Sequence, residues 1–337
     1  MFHRSIAAAL TPVAALALAA CGQTTTTEAE AVPPKASSFC ESVETSSSPV
    51  SVTDSYGREI ELDQPAERVA VLEWQQTEDL LSLCVKPVAV ADAKGFSTWV
   101  SAEELPKGTT DVGTRGEPNL EALFATDPDL IVVEAYTAED DILKQLAEYD
   151  IPVLATKGAD AADPIGNMRD TFELIAQATG RMERADEVLA DFDAKLEEGK
   201  GALAGTDAAG TGFVYFDGWI DGANVAIRPF GQGSLVGELG EELGLDNAWT
   251  GDVDPAYGLG QTDIEGMTKV GDATFFYTGT VDPAGDVNAE LAKNEIWKSI
   301  PAVAEDRAYA FPEGIWTFGG PKSAGQIVDA YVDLLTQ

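Results

Sequence analysis

The sequence predicts an α/β protein built of two similar lobes that a long helical segment joins. First, strand-like and helix-like segments alternate along the chain from residue 68 onward, which is typical of parallel sheets with helical crossovers. Second, the helix and strand predicted over residues 119–133 are repeated in the same register over residues 263–277. Third, residues 163–203 carry apolar side chains at helical spacing on one side and charges on the other. The repeat therefore predicts one copy of the same unit in each lobe.

Each copy of the repeat begins with the same two polar features. Asn119 and Asp263 stand where a side-chain oxygen can accept hydrogen bonds from the first amides of the helix. Glu121 and Glu265 follow two residues later, where a carboxylate stabilises the positive end of the helix dipole. Both helices lead into short apolar runs, which are typical of strands buried on both faces of a parallel sheet.

The elements of the first lobe follow from alternation and turn signals. Two alternating runs over residues 52–62 flank a turn that contains Gly57, and they predict a β-hairpin. Apolar runs over 68–72 and 87–90 predict buried strands, and residues 77–84 between them predict a helix. After the first repeat unit, a further helix leads to a strand over 151–155.

The rest of the chain repeats this alternation after the helical segment. Residues 213–216 predict the first strand of the second lobe, and residues 235–243 predict the helix that follows. After the second repeat unit, residues 307–311 predict the last strand and residues 323–335 a closing helix.

The N-terminal residues have the form of an export signal. Arg4 precedes an apolar stretch that ends in Leu-Ala-Ala-Cys21, which predicts a signal peptide followed by a lipidated cysteine. The alternative is a transmembrane anchor, but the apolar run is short for a span. The protein is therefore expected outside the cytoplasm, tied to the cell membrane through Cys21. The predicted domains are a signal peptide over 1–20, a disordered tether over 21–49, an N-terminal lobe over 50–162, a linking helix over 163–203 and a C-terminal lobe over 204–337.

Composition excludes several classes of function. The formal net charge is −37, which repels nucleic acid and favours neutral or cationic ligands. The only histidine is His3, inside the predicted signal peptide. A mature chain without histidine cannot use a histidine-ligated metal or a Ser-His or Cys-His pair. We therefore expect no catalytic residues, no protein metal site and no resident cofactor.

Two cysteines remain once Cys21 is lipidated. Cys40 and Cys84 would meet an oxidising compartment, where a pair of cysteines more often forms a disulfide than a metal site or a nucleophile. The sequence thus predicts a Cys40–Cys84 disulfide, with two unpaired thiols as the alternative.

Aromatic and arginine residues cluster after the predicted strands and in the loops nearby. Ligands in open α/β sheets bind beyond the carboxyl ends of the strands. Rings supply contact area, and guanidinium groups donate hydrogen bonds along a planar fork. A cleft so lined is suited to a bulky, partly apolar ligand with oxygen acceptors. The candidate binding residues are Trp74, Trp99, Arg115, Tyr136, Trp219, Arg228, Tyr257 and Trp316.

Several strings carry a resemblance to a known family. The chain resembles the iron-siderophore substrate-binding proteins of ABC importers, most of all their ferric hydroxamate branch, over about residues 50–335. The resemblance implies the class III periplasmic binding protein fold, in which one long rigid helix joins two Rossmann-like lobes and the ferric chelate binds between them. The strings are DSYGR at 54–58, RVAVLEW at 68–74, VKPVAVAD at 85–92, DVGTRGEPNLEAL at 111–123, DNAW at 246–249 and WTFGG at 316–320.

The resemblance also implies roles for single residues. Arg115 matches the arginine of this family that donates to the oxygens around iron, and Tyr136 falls at or beside its cleft tyrosine. Tyr257 stands where the hydroxamate branch places a tryptophan. Glu121 and Glu265 match two lobe-surface glutamates that dock onto the permease pair. Cys84 departs from the family, because relatives often have glycine there.

The expected function is therefore a monomeric, membrane-anchored receptor without enzymatic activity. It would bind a ferric siderophore, of hydroxamate or mixed type because the cleft holds few bases, and deliver it to an ABC permease dimer with its ATPase. Iron would enter only as part of this ligand. Cobalamin or haem binding remains an alternative within the fold. An exported carboxylate-based hydrolase, using pairs such as Asp252 and Asp254, and an adhesive lipoprotein are the alternatives from other classes.

Overall fold

A computed structural model of the chain describes Cys40, Val43 and residues 45–222 and 224–337. The predicted signal peptide, the lipidation site Cys21 and most of the predicted tether lie outside these residues. Residues from Cys40 to Gln337 form one compact unit. Among the described residues, no helix combines the length and the apolarity needed to cross a bilayer.

The N-terminal lobe is a parallel five-stranded sheet with a β-hairpin beside it. The strand order in the sheet is β5-β4-β3-β6-β7, and the hairpin pairs β1 with β2. Buried apolar side chains cover both faces of the sheet, as its continuous apolar strands predict. The elements are β1 Val50–Thr53, β2 Glu59–Leu62, β3 Val69–Val71, α1 Trp74–Ser82, β4 Ala89–Val90, α2 Ala93–Trp99, β5 Thr110–Asp111, α3 Leu120–Phe124, β6 Leu130–Ala135, α4 Asp141–Leu146 and β7 Val153–Lys157.

The connector consists of two helices, α5 Pro164–Thr179 and α6 Met182–Leu203. The prediction of one continuous helix over 163–203 was wrong at Gly180. This glycine has φ +65°, and the amide of Arg181 donates back to the Ala176 carbonyl at 2.8 Å, which is how a left-handed residue ends a helix. A Cβ at Gly180 would lie 2.8 Å from the Pro65 side chain, so the close packing of the chain also favours glycine here.

The C-terminal lobe repeats the strand order of the first lobe. Its parallel strands lie in the order β10-β8-β11-β12, and β9 pairs with β8 in the antiparallel sense. The elements are β8 Gly212–Asp221, β9 Asn224–Phe230, α7 Leu235–Glu242, β10 Asp246–Asn247, α8 Ile264–Met267, β11 Thr274–Tyr277, α9 Val287–Leu291, α10 Glu295–Ser299, α11 Pro301–Ala304, β12 Ala308–Ala310 and α12 Pro321–Leu335.

The sequence repeat forms the centre of each lobe. Strand β6 lies between β3 and β7, and β11 lies between β8 and β12. The predicted caps are present: Asn119 Oδ1 accepts from the Ala122 amide at 3.0 Å, and Asp263 Oδ1 accepts from the Gly266 amide at 2.9 Å. The two lobes therefore share one architecture, as the repeat predicts.

The folded unit begins before the predicted boundary at residue 50. A disulfide joins Cys40 to Cys84, with their Cα atoms 5.4 Å apart. The amide of Ser46 donates to the Gly180 carbonyl at 3.1 Å, and Arg181 donates to the Val43 carbonyl at 2.9 Å. The predicted tether was thus drawn too long, because the covalent bond and these hydrogen bonds hold its last residues against the connector.

Helix α12 ties the two lobes together. Its C-terminal part packs in the core of the C-terminal lobe, where Tyr331 is fully buried. Its first turn reaches α1 of the N-terminal lobe, where the amide and hydroxyl of Ser323 donate to the Glu78 carboxyl at 2.8 and 2.6 Å. The contact between Ser323 and Glu78 thus links the two lobes a second time, in addition to the connector.

A candidate ligand-binding cleft between the lobes

The carboxyl ends of the strands in both lobes face a cavity of about 320 Å³. Strand β6 ends at this cavity, and residues of the loops that follow β3, β5, β7, β10 and β12 line it. This is the position at which open α/β sheets bind ligands. The lining residues are Glu73, Gln75, Arg115, Glu134, Tyr136 and Gly158 from the N-terminal lobe, and Arg228, Tyr257, Leu259, Trp316 and Phe318 from the C-terminal lobe.

Five of the predicted binding residues line this cavity: Arg115, Tyr136, Arg228, Tyr257 and Trp316. Trp74 is buried instead, and its ring lies beneath the Arg115 guanidinium and against the Trp316 ring. It therefore supports the cleft wall without lining it.

Trp99 and Trp219 lie elsewhere. They border a separate cavity of about 160 Å³ that is formed mainly by the C-terminal lobe. Trp219 and Arg228 were expected directly after strands, but they lie within β8 and β9, which continue as a long hairpin. Side chains alternate between the two faces of a strand. Sequence position alone therefore did not predict which of these two residues would line the main cavity.

Arg115 is held in place by a carboxylate and an aromatic ring. Its Nη1 lies 2.5 Å from Oε1 of Glu73, which caps the N-terminus of α1. Its Cζ lies 3.7 Å from the centroid of the Trp74 ring, within the range of a cation–π contact. The guanidinium is held by groups of the protein itself, so less conformational entropy is lost on binding.

Arg228 also has a carboxylate partner. Its Nε and Nη2 donate to the two oxygens of Asp217 at 2.8 and 2.5 Å, a bidentate geometry that fixes the guanidinium plane. Burial raises the pKa of Asp217, although the Arg228 charge acts in the opposite direction. Both cleft arginines are thus partly neutralised by the protein, and the cleft attracts anions less than two free guanidinium groups would.

Glu134 is the residue that sequence reasoning missed. It lies near the end of β6 and accepts a hydrogen bond of 2.6 Å from the Tyr257 hydroxyl in the other lobe. Burial and the negative charge of Glu73 raise the pKa of Glu134 to about 7, while Tyr257 and Arg115 lower it. A signal was available in the sequence, because an acid at the end of the apolar run Leu-Ile-Val-Val-Glu-Ala is unusual in a buried strand.

Two tyrosines and a phenylalanine frame the opening next to Glu134. Tyr136 is 73% exposed, and its ring centroid lies 6.4 Å from that of Tyr257. The Tyr257 ring in turn meets Phe318 edge to face at 5.7 Å. An exposed ring at a cavity mouth offers contact area that only a ligand or partner would cover. The exposed position of Tyr136 thus supports a role in binding rather than in the core.

The predicted docking residues lie on the surface. Glu121 and Glu265 are exposed in the first turns of α3 and α8. The two copies of the repeated helix thus present one exposed carboxylate on each lobe. Among the described residues, there is no group of three or more Cys, His, Asp or Glu side chains that could hold a metal ion.

Comparison with known proteins identifies the family. Residues 69–314 match the periplasmic binding protein family, a match that runs through both lobes and the connector. The chain belongs to this family. It is therefore a substrate-binding protein and not an enzyme, as the sequence predicts.

Two relatives from sequence comparison and two solved structures resemble the chain. The iron(3+)-hydroxamate-binding protein FhuD of Escherichia coli is 28% identical over 262 residues, which cover 77% of this chain and 84% of that protein. The probable siderophore-binding lipoprotein YfiY of Bacillus subtilis is 27% identical over 280 residues, covering 78% and 80%. These relatives confirm the sequence resemblance to siderophore-binding proteins.

Among solved structures, the siderophore-binding protein FhuD of Vibrio cholerae with bound Fe3+-Desferal superposes with a TM-score of 0.69 at 25% identity, covering 80% of this chain and 97% of that one. The triscatecholate siderophore-binding protein FeuA of Bacillus subtilis superposes with a TM-score of 0.67 at 20% identity, covering 85% and 98%. The second likeness concerns the fold alone. Together they support the predicted fold of two α/β lobes.

Proposed function

We propose that this protein is an extracytoplasmic, membrane-anchored receptor that binds a ferric siderophore of hydroxamate type between its lobes and delivers it to an ABC importer. The relatives named above bind iron(3+)-hydroxamate or siderophores according to their names. The iron arrives enclosed in its chelate, so the protein needs no metal ligands of its own.

One observation carries this proposal: the Arg115 guanidinium is fixed in the wall of an aromatic cavity between the lobes. A ferric hydroxamate presents oxygen atoms with partial negative charge and a partly apolar skeleton. Arginine can donate to such oxygens, while the rings of Trp316 and Tyr136 contact the skeleton. Because Arg115 and Arg228 are each paired with a carboxylate, the cleft is less suited to a triply anionic catecholate.

The delivery step rests on Glu121 and Glu265. Each helix precedes the strand of its repeat and runs back along it, so its N-terminus lies toward the sheet edge where the cleft opens. The two carboxylates would then flank the cleft and dock onto basic sites of the two permease subunits. Anchoring through Cys21 rests on the sequence signal and on the lipoprotein name of the Bacillus subtilis relative.

Tryptophan fluorescence of the purified full-length chain tests the ligand class. The titrants are ferrichrome, ferrioxamine B, ferric citrate, a ferric catecholate, haem and cobalamin. A chromophore in the cleft would lie beside Trp316 and above Trp74, so we expect saturable quenching by the ferric hydroxamates. Binding of the catecholate alone would replace the hydroxamate assignment, and selective binding of haem or cobalamin would replace the siderophore. The absence of binding by all six compounds would remove the proposed function.

A further inference from the structure

The charge arrangement of the cleft points to a ligand that carries a cation. Three carboxylates, Glu73, Glu134 and Asp217, line the cleft or adjoin its arginines, against the two guanidinium groups of Arg115 and Arg228. Glu73 and Asp217 are paired with the arginines. Among the described residues, no lysine or arginine nitrogen lies within 4.0 Å of the Glu134 carboxylate. The cleft thus contains one acid more than its own bases balance.

Aromatic rings lie close to this unmatched acid. Tyr257 donates to Glu134 Oε1 from one side, and the exposed ring of Tyr136 stands at the opening, 6.4 Å from the Tyr257 ring. Phe318 extends the frame from the C-terminal lobe. A carboxylate with aromatic rings nearby suits an alkylammonium group, because a charge pair and cation–π contacts can act together on it.

Gly158 packs directly against the Glu134 carboxylate and the Tyr257 hydroxyl. A Cβ atom at Gly158 would lie 2.3 Å from both Glu134 Oε1 and the Tyr257 hydroxyl. Glu134 and Tyr257 can therefore hold these positions only because residue 158 is glycine. Glu134 itself lines the cavity, so a ligand arm can reach it.

We propose that Glu134, framed by Tyr136 and Tyr257, binds a protonated amine on the siderophore and so selects cationic over neutral ferric hydroxamates. This proposal rests on the proposed function of the same cleft. Arg115 would hold the oxygens around iron, and Glu134 would hold the ammonium group at the end of a flexible arm. The overall charge of −37 favours the same ligands at longer range.

A matched pair of ligands tests this selectivity. Ferrioxamine B carries a free alkylammonium group, and its N-acetylated derivative has the same iron centre with a neutral amide instead. The dissociation constants of both would be measured by tryptophan quenching with the full-length chain at pH 8. For the wild type we expect about tenfold tighter binding of the ammonium form, as for one partly desolvated charge pair.

Two variants distinguish the contact with Glu134 from the general electrostatic field of the protein. Glu134→Gln keeps the acceptor for Tyr257 and removes the charge, so both ligands should bind with nearly equal affinity. Glu139→Gln removes one exposed charge of the same lobe and should keep the tenfold preference. A preference that survives in Glu134→Gln, or disappears in Glu139→Gln, would overturn the proposal.

A pH series on the wild type provides a test without any substitution. The Glu134 carboxyl gains a proton as the pH falls through its pKa of about 7, while the ligand amine stays charged, so the preference should shrink between pH 8 and pH 6. The titratable and charged groups around Glu134 are Glu73, Arg115, Tyr56 and Tyr136 in its own lobe, Lys157 on β7, which is paired with Asp160, and Tyr257 and Arg228 across the cleft. A preference that is constant over this range would contradict a role for Glu134.

The outcomes also distinguish this proposal from the function on which it rests. Equal and tight binding of both ligands by the wild type would overturn the cation selectivity and leave the hydroxamate receptor in place. Failure of both ligands to bind would overturn both.

Discussion

The hydroxyl of Tyr257 in the C-terminal lobe donates a 2.6 Å hydrogen bond to Oε1 of Glu134 in the N-terminal lobe. This bond spans the candidate cleft and joins two residues 123 positions apart. It is buried enough that the hydroxyl keeps its proton, because desolvation and the nearby carboxylate both raise the pKa of Tyr257. The Tyr257 and Glu134 side chains thus form a direct contact between the two walls of the cleft, and a ligand arm would join or replace this contact.

The first prediction concerns the space that the hydrogen bond between Tyr257 and Glu134 requires beside Gly158. A Cβ at Gly158 would lie 2.3 Å from Glu134 Oε1 and from the Tyr257 hydroxyl, so Gly158→Ala must displace one of them. We expect the affinity for a ferric hydroxamate to fall about tenfold, the loss of roughly one hydrogen bond to a charged group. Quenching titration measures this loss.

Gly201→Ala is the matched control for this substitution. Gly201 lies in α6, and a Cβ there would meet nothing within 4 Å. Alanine should leave binding unchanged and stabilise the helix by about 0.5–1 kcal/mol. Unchanged affinity in Gly158→Ala would show that the Glu134–Tyr257 contact does not matter for the ligand.

The second prediction concerns Arg115. Arg115→Ala should weaken binding of ferric hydroxamates by about 2 kcal/mol, or roughly thirtyfold, because a fixed charged donor is lost. Arg115→Lys should recover little of this, since an ammonium group has no planar fork to stack on Trp74. The control is Arg169→Ala, because Arg169 is also ion-paired, to Asp193, and lies over the Phe192 ring, but it belongs to the connector. Equal losses in both variants would indicate a general effect of charge or stability.

The sequence predicted the architecture because its signals are local. Capped helices and apolar runs determine both copies of the repeat, and the first and last strands of each lobe follow from the same patterns. The break at Gly180 was missed because helical spacing continues on both sides of it. A glycine within a periodic segment is compatible with a helix. Only its close contact with Pro65 in the folded chain makes the left-handed conformation there specific.

The cleft was predicted less completely because it depends on pairing between distant residues. Arg115, Tyr136 and Tyr257 are recognisable from motifs and position, and they line the cavity. Trp219 was misplaced because the hairpin of β8 and β9 is longer than the apolar run that predicts it. Glu134 was overlooked because its place in the cleft depends on a hydrogen bond from Tyr257, which is remote in the sequence.

The third prediction concerns delivery to the importer. Reversing the charge of either exposed glutamate, with Glu121→Arg or Glu265→Arg, should lower cellular uptake of the ferric siderophore about tenfold, as for a broken interfacial charge pair. Binding by the purified protein should stay as in the wild type. Glu183→Arg is the control, since Glu183 is also exposed in a first helical turn, that of α6. Uptake that is reduced equally by the control would argue against specific docking.

The fourth prediction concerns Cys84, which has φ +62° at the end of α1, where the Val85 amide donates back to the Leu80 carbonyl at 3.0 Å. Glycine is favoured at such a position, in agreement with the glycine that the family resemblance implies there. Removing the Cys40–Cys84 disulfide, which closes 44 residues of sequence separation, should lower the free energy of unfolding by about 2–4 kcal/mol.

A pair of double variants separates the disulfide from the backbone effect. Cys40→Ser with Cys84→Gly should be about 1 kcal/mol more stable than Cys40→Ser with Cys84→Ser, because glycine adopts a positive φ without a steric cost. Denaturant unfolding of the two proteins measures the difference directly. Equal stability would show that the left-handed conformation at residue 84 is not costly for a side chain.

The last prediction concerns the link between α1 and α12. The Glu78 carboxyl is fully buried and accepts two hydrogen bonds from Ser323, and burial raises its pKa to about 7. Neighbouring Asp79 is buried without a hydrogen-bond partner for its carboxyl oxygens among the described residues, and burial raises its pKa too. An acid whose pKa is higher in the folded state contributes stability at low pH, and this contribution is lost as the pH rises from about 4.5 through about 7.

The protein should therefore be more stable at pH 5 than at pH 8. Glu78→Gln keeps an acceptor and a donor for Ser323 but cannot ionise, so the decrease in unfolding free energy between these pH values should shrink by about 2 kcal/mol. Asp79 and Glu134 have raised pKa values as well, so part of the slope should remain in this variant. Glu183→Gln, at an exposed position, should keep the full slope. Denaturant unfolding at pH 5 and pH 8 decides the matter, since an unchanged slope in Glu78→Gln would mean that Glu78 is ionised at both pH values, or at neither.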